Sequence, residues 1–322
     1  MTQPHLYVAR TLTPAVMAEL DRLDLPVVVG EEAPPARERL LADIAGAAAA
    51  IVTLTERIDA ELLDAAGPQL KVVANVAVGY DNIDLAAAAA RGVVVCNTPG
   101  VLDEATADHT FAMLLATTRR VVEADRFARS GRPWSWGPTM LVGLDVSAGA
   151  TLGIVGFGRI GRAVAKRAHA FGMQVITSDP GLTVGDEVDG VRVVELATLL
   201  ASSDVVSLHV PLLPSTRHLI DAGALAAMKP GSYLLNAARG GVVDEAALID
   251  ALRSGRLAGA ALDTFEGEPR INPELATLEN IVLQPHIASA GDQTRDNMCR
   301  LAVRNVTKVL AGEPAETPVP VR

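Results

Sequence analysis

The amino-acid sequence predicts an α/β protein with two doubly wound parallel-sheet domains. Short apolar runs such as PVVVG and LKVVANV alternate with segments of helical periodicity along most of the 322 residues. These runs are continuously apolar rather than alternating, which is typical of parallel strands covered on both faces. The chain is long enough for two hydrophobic cores. Only 3% of its residues are aromatic, so both cores are expected to consist mainly of Ala, Val and Leu.

The first domain is predicted from residues 1–99, where strands and helices alternate. Its strands are expected in LYVAR, PVVVG, AAIVTL, LKVVANV and GVVVCN, and its helices over residues 14–23, 35–46, 58–66 and 85–91. No glycine pattern for binding phosphate occurs in this stretch, so the domain is expected to lack a nucleotide site of its own.

Two turns of this first domain follow strands, where the ligand crevices of open sheets lie. One turn contains Leu54 between two threonines. In the other turn, Val78 precedes Gly79, whose freedom could let backbone N–H groups converge on a carboxylate. From the spacing alone, an ordinary strand-to-helix turn explains the second turn better.

Residues 101–130 are predicted to form one long helix, which Gly131 and Pro133 end. A helix of this length suggests a spine between domains or between subunits. The following loop holds Trp134 and Trp136, the only tryptophans of the chain. Exposed aromatic side chains in loops are often buried by a partner, and packing on their own domain is an equally good interpretation.

A strand, a glycine turn, a helix, a second strand and an acid follow one another over residues 151–180. Gly156 permits a tight turn, Gly158 lets the backbone approach a pyrophosphate, and Gly161 lets the helix pack closely on the strand. The pyrophosphate would lie at the helix N-terminus, where unpaired N–H groups and the helix dipole favour negative charge. Asp179 ends the second strand at the distance expected for a carboxylate that binds both ribose hydroxyls. Because that carboxylate repels a 2′-phosphate, the sequence favours NAD over NADP.

The other strands of this second domain are expected in VRVV, VVSLHVP, GSYLLN, LAGAALD and NIVLQPH, with helices at residues 221–228 and 244–254. A total of about six strands is typical of a dinucleotide-binding fold. A final helix over residues 292–312 follows the last strand and is expected to return to the first domain. The Pro-rich tail after Gly312 is expected to fray.

Three residues that suit keto-acid chemistry follow strands of the second domain, namely Arg239, Glu268 and His286. The carboxyl ends of parallel strands meet at one edge of a sheet, so these side chains are expected to converge. An arginine fork can hold a substrate carboxylate, and a histidine can give a proton to a carbonyl oxygen near neutral pH. A neighbouring glutamate can stabilise the imidazolium.

Asp263 and the remaining histidines have more ordinary interpretations. Asp263 ends the strand LAGAALD and could orient the nicotinamide amide, support the Glu268–His286 pair or cap a turn. Most histidines are not catalytic, and five are interpreted in that way here: His5, His109, His169, His209 and His218. Of these, His209 lies at the end of a predicted strand.

Composition excludes several classes of partner. A net charge of −10 disfavours nucleic acid and anionic membranes as partners, so a small anionic substrate needs a local positive site.

Cys96 and Cys299 lie far apart in the sequence and are expected to be free thiols in a reducing compartment. No apolar stretch is long enough for a bilayer or resembles a signal peptide. We therefore expect a cytoplasmic protein, and the sequence indicates no metal site.

Seven motifs spread over nearly the whole chain are similar to those of one family: NVAVGYDNID, EATADHTFAMLLATTRR, LGIVGFGRIGRAVAKRA, SLHVPLLPSTRHLI, NAARGGVVDEAALIDAL, GAALDTFEGEP and QPHIASA. That family is the D-isomer-specific 2-hydroxyacid dehydrogenases. The segments VLDEATAD and VEADRFARSG most resemble its glyoxylate/hydroxypyruvate reductase branch.

The resemblance implies a flavodoxin-like substrate domain, formed by residues 1–99 and 287–322, and an inserted Rossmann domain, formed by residues 100–286. The active site would lie between them. The implied reaction is hydride transfer between NAD(P)(H) and C2 of a small D-2-hydroxy acid or 2-keto acid. The helix at residues 101–130 would form the core of a homodimer.

By the same resemblance, Arg239 binds the substrate carboxylate, His286 is the acid/base and Glu268 tunes it. Backbone N–H groups of the second turn described above would also hold that carboxylate. The residues that would bind the substrate are Leu54, Val78, Gly79, Arg239 and His286. The residues that would line the cofactor are Thr106, Gly156, Gly158, Arg159, Ile160, Gly161, Asp179, Val210, Pro211, Thr216, Ala237 and Asp263.

The sequence departs from the branch at two places. Met140 stands where many hydroxypyruvate reductases carry a tryptophan that reaches the neighbouring subunit's site, so the 2-keto acid is not specified. Asp179 departs from the NADPH preference of many relatives, so oxidation with NAD is as plausible as reduction.

Two alternative functions stay open. One is an NAD-sensing corepressor on the same fold, which an intact Arg–Glu–His set disfavours, and the other is a related phosphoglycerate, formate or phosphite dehydrogenase.

Overall fold

The computed structural model of the protein describes residues 4–320, which divide into two units. One unit ends at Leu102 and resumes at Ala290, and the other extends from Asp103 to Ser289. Within the described residues, no helix combines the length and the apolar character needed to cross a membrane.

The first unit contains a five-stranded sheet with helices between its strands. Its strands are β1 (His5–Val8), β2 (Val27–Val29), β3 (Ala47–Val52), β4 (Val72–Asn75) and β5 (Val94–Cys96). Its helices are α1 (Pro14–Leu20), α2 (Arg37–Asp43), α3 (Ala60–Ala66), α4 (Leu85–Ala90) and the last helix of the chain, α11 (Asp292–Leu310). The strand order is β2-β1-β3-β4-β5, and every neighbouring pair is parallel. This order is that of flavodoxin-like sheets.

Local sequence explains these elements. The strand β3 reads AAAAIV and is buried along its whole length, because small side chains let helices cover both of its faces. Helix α11 packs against β3 and β4. Asp59 begins α3 by accepting the Leu62 N–H, and Asp84 begins α4 by accepting the Ala87 N–H.

The second unit contains an eight-stranded sheet. Its strands are β6 (Thr151–Val155), β7 (Gln174–Ser178), β8 (Glu187–Val188), β9 (Val191–Val193), β10 (Val205–Leu208), β11 (Ser232–Asn236), β12 (Leu257–Leu262) and β13 (Ile281–Leu283). Its helices are α5 (Asp103–Thr118), α6 (Val121–Arg129), α7 (Arg159–Ala170), α8 (Leu196–Ser202), α9 (Ala222–Ala227) and α10 (Glu245–Arg253). Short 3-10 turns occur at Val146–Ala148, Gly240–Val242 and Leu275–Thr277.

The strand order of the second sheet is β13-β12-β11-β10-β6-β7-β9-β8. All neighbouring strands are parallel except β8, which runs antiparallel to β9. The order reverses at β6, which has β7 on one side and β10 on the other. Ligand crevices of open sheets lie beyond the carboxyl ends of strands at such a switch point. The predicted fold class, two doubly wound parallel sheets of which one has Rossmann topology, is confirmed.

The single long helix predicted over residues 101–130 is wrong, because the segment forms α5 and α6 with a break between them. Arg120 has a left-handed backbone with φ of 54°. The Thr118 carbonyl, which would continue the helix ladder, instead accepts the Leu144 N–H at 2.9 Å. Gly143 crosses the same carbonyl so closely that a Cβ there would lie 2.0 Å from the oxygen. A contact from a distant loop therefore ends α5 where the local sequence continues a helical pattern.

Two smaller expectations also differ from the structure. The edge strand β8 escapes prediction because it has two residues, too few to show a periodicity. The tail after Gly312 does not fray as expected. The Val319 N–H donates to the Val95 carbonyl at 2.8 Å, and the Val319 side chain is buried. The tail thus packs along β5.

Candidate active site

The glycine turn between β6 and α7 has the geometry that the sequence predicts. Gly156 has φ of 91°, and a Cβ there would lie 2.7 Å from the His209 carbonyl oxygen. A Cβ on Gly161 would lie 2.3 Å from the Gly156 carbonyl oxygen. A Cβ on Gly158, in contrast, would meet no atom within 4 Å. The fold itself therefore requires Gly156 and Gly161, whereas Gly158 faces open space in front of α7.

Gly158 is the N-cap of α7, and no side chain caps this helix end. The helix thus presents backbone N–H groups and its positive dipole end to the space that Gly158 leaves open. Such a cradle fits the pyrophosphate of a dinucleotide. Arg159 and Ile160, also predicted to line the cofactor, are the first residues of the same helix.

Gly158→Ala is expected to leave the free energy of unfolding within about 1 kcal/mol of the wild-type value, because Gly158 has no positive φ to lose. The new methyl group would occupy the pyrophosphate space, so we expect the Kd for NADH to rise at least about tenfold. Thermal unfolding and a fluorescence titration with NADH measure the two effects. Gly137→Ala, which also places its methyl group in open space, is the control. An unchanged Kd would contradict a cofactor site at this turn.

Asp179 follows β7 and is held beside the glycine turn. Its Oδ2 accepts the Phe157 N–H at 2.7 Å, and its Oδ1 accepts the Gly181 N–H at 2.8 Å. The side chain is half-buried. These two backbone bonds fix a carboxylate at the end of the second strand of the motif, which is where a ribose would lie.

The remaining predicted cofactor residues lie in different places on this unit. The turn after β10 contacts the glycine turn directly, because the Val210 Cγ1 atom would lie 2.8 Å from a Cβ on Gly156. Thr216 stabilises that turn by donating its hydroxyl to the Pro211 carbonyl at 2.6 Å. Ala237 follows β11 and is half-buried, and Thr106 is buried in α5.

Arg239 follows β11, and a turn fixed by two neighbours carries it. The amide of buried Asn236 donates to the Arg239 carbonyl at 2.9 Å and accepts the Ala238 N–H at 3.0 Å. The next residue, Gly240, lies against the loop after β12, where a Cβ would be 1.9 Å from the Phe265 carbonyl carbon. A glycine at this position therefore lets the segment that carries Arg239 contact the segment that carries Glu268.

Glu268 and His286 form a hydrogen-bonded pair. The His286 Nδ1 atom lies 2.8 Å from Glu268 Oε2, and both side chains are about three-quarters buried, with 24% and 28% of their surface exposed. Glu268 Oε1 accepts the Phe265 N–H at 2.8 Å. Burial raises the pKa of Glu268, but the bond and charge of His286, the Phe265 N–H and the charge of Arg239 together lower it below its ordinary value.

Asp263 holds the turn that carries His286. Its two carboxylate oxygens accept the N–H groups of Ile287 and Ala288, each at 2.8 Å, and its carbonyl accepts the His286 N–H at 2.8 Å. His286 has a left-handed backbone, with φ of 56°. The Asp263 side chain is fully buried, and this burial raises its pKa despite the two N–H bonds and the charges of His109 and His286. Asp263 therefore fixes the backbone of residues 286–288 by accepting their N–H groups.

Comparison with known proteins identifies the family. A family profile described as D-isomer specific 2-hydroxyacid dehydrogenase, NAD binding domain, matches residues 111–288. The chain is 49% identical over 288 residues to a glyoxylate reductase of Thermococcus litoralis, an alignment that covers 88% of this chain and 86% of the relative. The chain belongs to the D-isomer-specific 2-hydroxyacid dehydrogenases.

Solved structures superpose on nearly the whole dehydrogenase. A Thermus thermophilus protein is 46% identical with a TM-score of 0.92, and the match covers 98% of this chain and 100% of that one. An NADPH-dependent glyoxylate/hydroxypyruvate reductase of Sinorhizobium meliloti, in complex with NADP and malonate, is 35% identical with a TM-score of 0.86, covering 99% and 97%. The predicted family is therefore confirmed, and the protein is an oxidoreductase that acts on a CH–OH group with a nicotinamide cofactor. The non-enzymatic alternative is not favoured.

Three other histidines of this dehydrogenase have different surroundings from His286. Burial lowers the pKa of His209 to about 4, and its Nε2 lies 2.8 Å from the Ser207 hydroxyl, so its ring is neutral near pH 7. The Nε2 of His218 lies 2.6 Å from Glu266. His109 Nε2 lies 3.7 Å from Asp263 Oδ1 and has no hydrogen-bond partner among the described residues.

Three predicted substrate residues of the dehydrogenase belong to the first unit. Leu54 follows β3, and Val78 and Gly79 follow β4. The Asn97 amide donates to the Val78 carbonyl at 2.8 Å, and the Asn75 amide donates to the Gly79 carbonyl at 2.9 Å. Because a trans peptide points its N–H away from its C=O, the first of these bonds turns the Gly79 N–H away from Asn97.

Some residues that shape this site of the dehydrogenase escape sequence reasoning. Asn236 and Gly240 flank Arg239 in the motif NAARGG, which is the available signal for a tight turn. His109 occurs in the middle of a helical pattern, and nothing local marks its approach to Asp263. Glu245 looks like an ordinary acid in the first turn of a helix, yet it is buried and accepts the Glu266 N–H.

Proposed function

We propose that this dehydrogenase transfers a hydride between NAD(H) and C2 of a small D-2-hydroxy acid or 2-keto acid, with glyoxylate or hydroxypyruvate as the 2-keto acid. The observation that carries the proposal is the 2.8 Å contact between His286 and Glu268, with the charge of Arg239 acting on the same glutamate. Relatives whose names give glyoxylate as the substrate support the choice of 2-keto acid.

Each of the three side chains has one role in the proposed reaction. The guanidinium of Arg239 forms two parallel hydrogen bonds to the substrate carboxylate and so orients C2. Bound nicotinamide supplies the hydride in reduction and accepts it in oxidation. Because Nδ1 of His286 is engaged by Glu268, its Nε2 atom is the one left for the substrate oxygen. In reduction, Nε2 gives its proton to that oxygen, and in oxidation it takes the proton back.

Glu268 keeps His286 in the right orientation throughout this cycle. Its lowered pKa keeps the carboxylate ionised near neutral pH. An ionised carboxylate at Nδ1 holds the ring in place and stabilises the imidazolium that donates the proton. Asp263 contributes by holding the turn of His286. Leu54, Val78 and Gly79 are the proposed substrate-binding residues of the first unit, with the Gly79 N–H as a donor to the carboxylate.

A panel of 2-keto acids tests the proposal. Glyoxylate, hydroxypyruvate, pyruvate and 2-ketogluconate are each mixed with enzyme and either NADH or NADPH, and nicotinamide oxidation is followed by absorbance. We expect turnover of glyoxylate and hydroxypyruvate, and faster turnover with NADH than with NADPH. Absence of turnover with every acid and both cofactors would reject the proposed function.

We propose NAD rather than NADP as the cofactor because of Asp179. Its fixed carboxylate would accept the 2′-hydroxyl of NAD and repel the 2′-phosphate of NADP. Asp179→Ser is therefore expected to change the ratio of kcat/KM for NADH to that for NADPH by at least about tenfold toward NADPH. Steady-state kinetics with both cofactors measure the ratio. Asp186→Ser, at an exposed aspartate, is the control, and an unaltered ratio in Asp179→Ser would count against this assignment.

We also propose a homodimer formed through the helices of the 101–130 region. Large apolar side chains are exposed on and near these helices, with Trp134 63%, Trp136 80% and Val142 61% exposed. A second copy of the chain would cover them.

A cytoplasmic location is proposed because Cys96 and Cys299 are both free and buried, as is usual in a reducing compartment.

A further inference from the structure

Glu245 is a buried carboxylate that neither the glycine turn nor the Arg–Glu–His set uses. It lies in the first turn of α10 and is 7% exposed. Carboxylates are rarely buried without a partner, because desolvation penalises the charged form. The partner of Glu245 is a backbone group, the Glu266 N–H, which donates to its Oε1 at 2.7 Å.

The Glu266 N–H belongs to the turn that carries Glu268, the carboxylate of the proposed acid–base pair. We call residues 265–268 the Glu268 turn. Two successive N–H groups of this turn are held by carboxylates, since Phe265 donates to Glu268 at 2.8 Å and Glu266 donates to Glu245 at 2.7 Å. Removing the Glu245 oxygen would leave the second N–H without its acceptor and free the turn to move.

The same turn is contacted from the Arg239 side. A Cβ on Gly240 would lie 2.4 Å from the Glu266 nitrogen and 1.9 Å from the Phe265 carbonyl carbon. Gly240 follows Arg239 directly, and the short turn Gly240–Val242 leads into α10, where Glu245 lies. The segment that begins at Arg239 therefore holds the 265–266 peptide twice, once by close packing and once by the Glu245 carboxylate.

The charges of Glu266 and Glu268 both act on Glu245. Burial raises the pKa of Glu245, the Glu266 N–H lowers it, and the charges of Glu266 and Glu268 raise it again, so that it lies above its ordinary value. Glu266 is itself paired with His218 at 2.6 Å and with Arg217 at 3.3 Å. Glu245 thus lies within electrostatic reach of Glu268.

We propose that Glu245 is a positioning residue of the proposed acid–base pair. By holding the Glu266 N–H, it fixes the Glu268 turn relative to the segment that carries Arg239. The fixed turn positions the Glu268 carboxylate on Nδ1 of His286. It also fixes the distance between the His286 imidazole and the Arg239 guanidinium, which would bind the same substrate molecule. The expected effect on kcat rests on the proposed function, whereas the contact between Glu245 and the Glu266 N–H is seen in the structure itself.

Two variants test this role. Glu245→Met fills the buried volume without an acceptor, and Glu245→Gln keeps an oxygen for the Glu266 N–H. Because a misplacement of about 1 Å can cost about 10²-fold in rate, we expect Glu245→Met to lower kcat by about 10- to 100-fold. The KM and the Kd for NADH should stay within about threefold of wild type. Glu245→Gln should retain kcat within about threefold, because the amide oxygen accepts the same bond.

Amide hydrogen exchange at Glu266 gives a readout that needs no substrate. Its N–H should exchange at least about tenfold faster in Glu245→Met and at the wild-type rate in Glu245→Gln. Asp250→Asn, at an exposed acid of the same helix, is the control for kinetics and exchange. Wild-type kcat in Glu245→Met, equal losses in both variants, or unaltered exchange at Glu266 would each overturn the proposal. A wild-type enzyme inactive on every 2-keto acid would reject the proposed function instead, and exchange would still test the contact.

Discussion

Replacing His286 with alanine is expected to lower kcat by about 10²- to 10⁴-fold, which is the usual contribution of a positioned general acid or base. The reason is geometric, because Nδ1 of His286 is held 2.8 Å from Glu268 and its other nitrogen is left for the substrate oxygen. Alanine removes the proposed proton donor and leaves the glycine turn and Asp179 intact. The Kd for NADH is therefore expected to stay within about twofold of wild type.

Single-turnover kinetics with NADH-loaded enzyme measure the loss in His286→Ala, and a titration measures the Kd. His169→Ala is the matched control, since His169 is an exposed histidine in the last turn of α7. This control should retain the wild-type kcat. If His286→Ala turned over 2-keto acids at the wild-type rate, another group would have to donate the proton. His209 is a poor candidate for that role because its ring is neutral near pH 7.

Replacing Arg239 with lysine is expected to raise the KM for a 2-keto acid by at least about tenfold, with a smaller effect on kcat. A guanidinium binds a carboxylate through two parallel hydrogen bonds, whereas an ammonium group offers a point charge. Lysine preserves the positive charge near Glu268, so the variant isolates the two-bond geometry from the charge. Steady-state kinetics at saturating NADH give both constants.

The Arg239 experiment needs a second variant and a control. Arg239→Ala also removes the charge, and we expect it to lower kcat/KM by about 10³-fold or more. Arg192→Lys, at an exposed arginine of β9, should change neither constant. An unchanged KM and kcat in Arg239→Lys would contradict the proposed role of Arg239 as the ligand of the substrate carboxylate.

Most of the fold is predictable from the sequence because the central strands of both sheets are buried along their whole length. Such strands form unbroken apolar runs, as in SYLLN of β11, which is buried along its whole length. The break after Thr118 could not be predicted in this way. It depends on the Leu144 N–H and on the close approach of Gly143, both of which come from a loop more than twenty positions away.

The candidate site also combines features that local sequence predicts with features that only tertiary contacts determine. Arg239, Glu268 and His286 can be found from the sequence because each follows a strand, and parallel strands end at one edge of the sheet. Their supports cannot be found so easily. Glu245 follows Asp244, the N-cap of α10, so it looks like the acid that commonly begins a helix. Its burial and its bond to the Glu266 N–H arise from tertiary packing, which no local pattern records.

The most direct test of hydride transfer from NADH to C2 of a 2-keto acid is to follow the hydride itself. Enzyme loaded with NADH that is deuterated at its hydride position is mixed with hydroxypyruvate for a single turnover, and the product is examined by NMR. We expect one deuterium at C2 of a D-configured hydroxy acid in wild type, and at least about 10²-fold slower transfer in His286→Ala. NADH that binds but gives no deuterium to C2, with hydroxypyruvate or with glyoxylate, would contradict hydride transfer at this site.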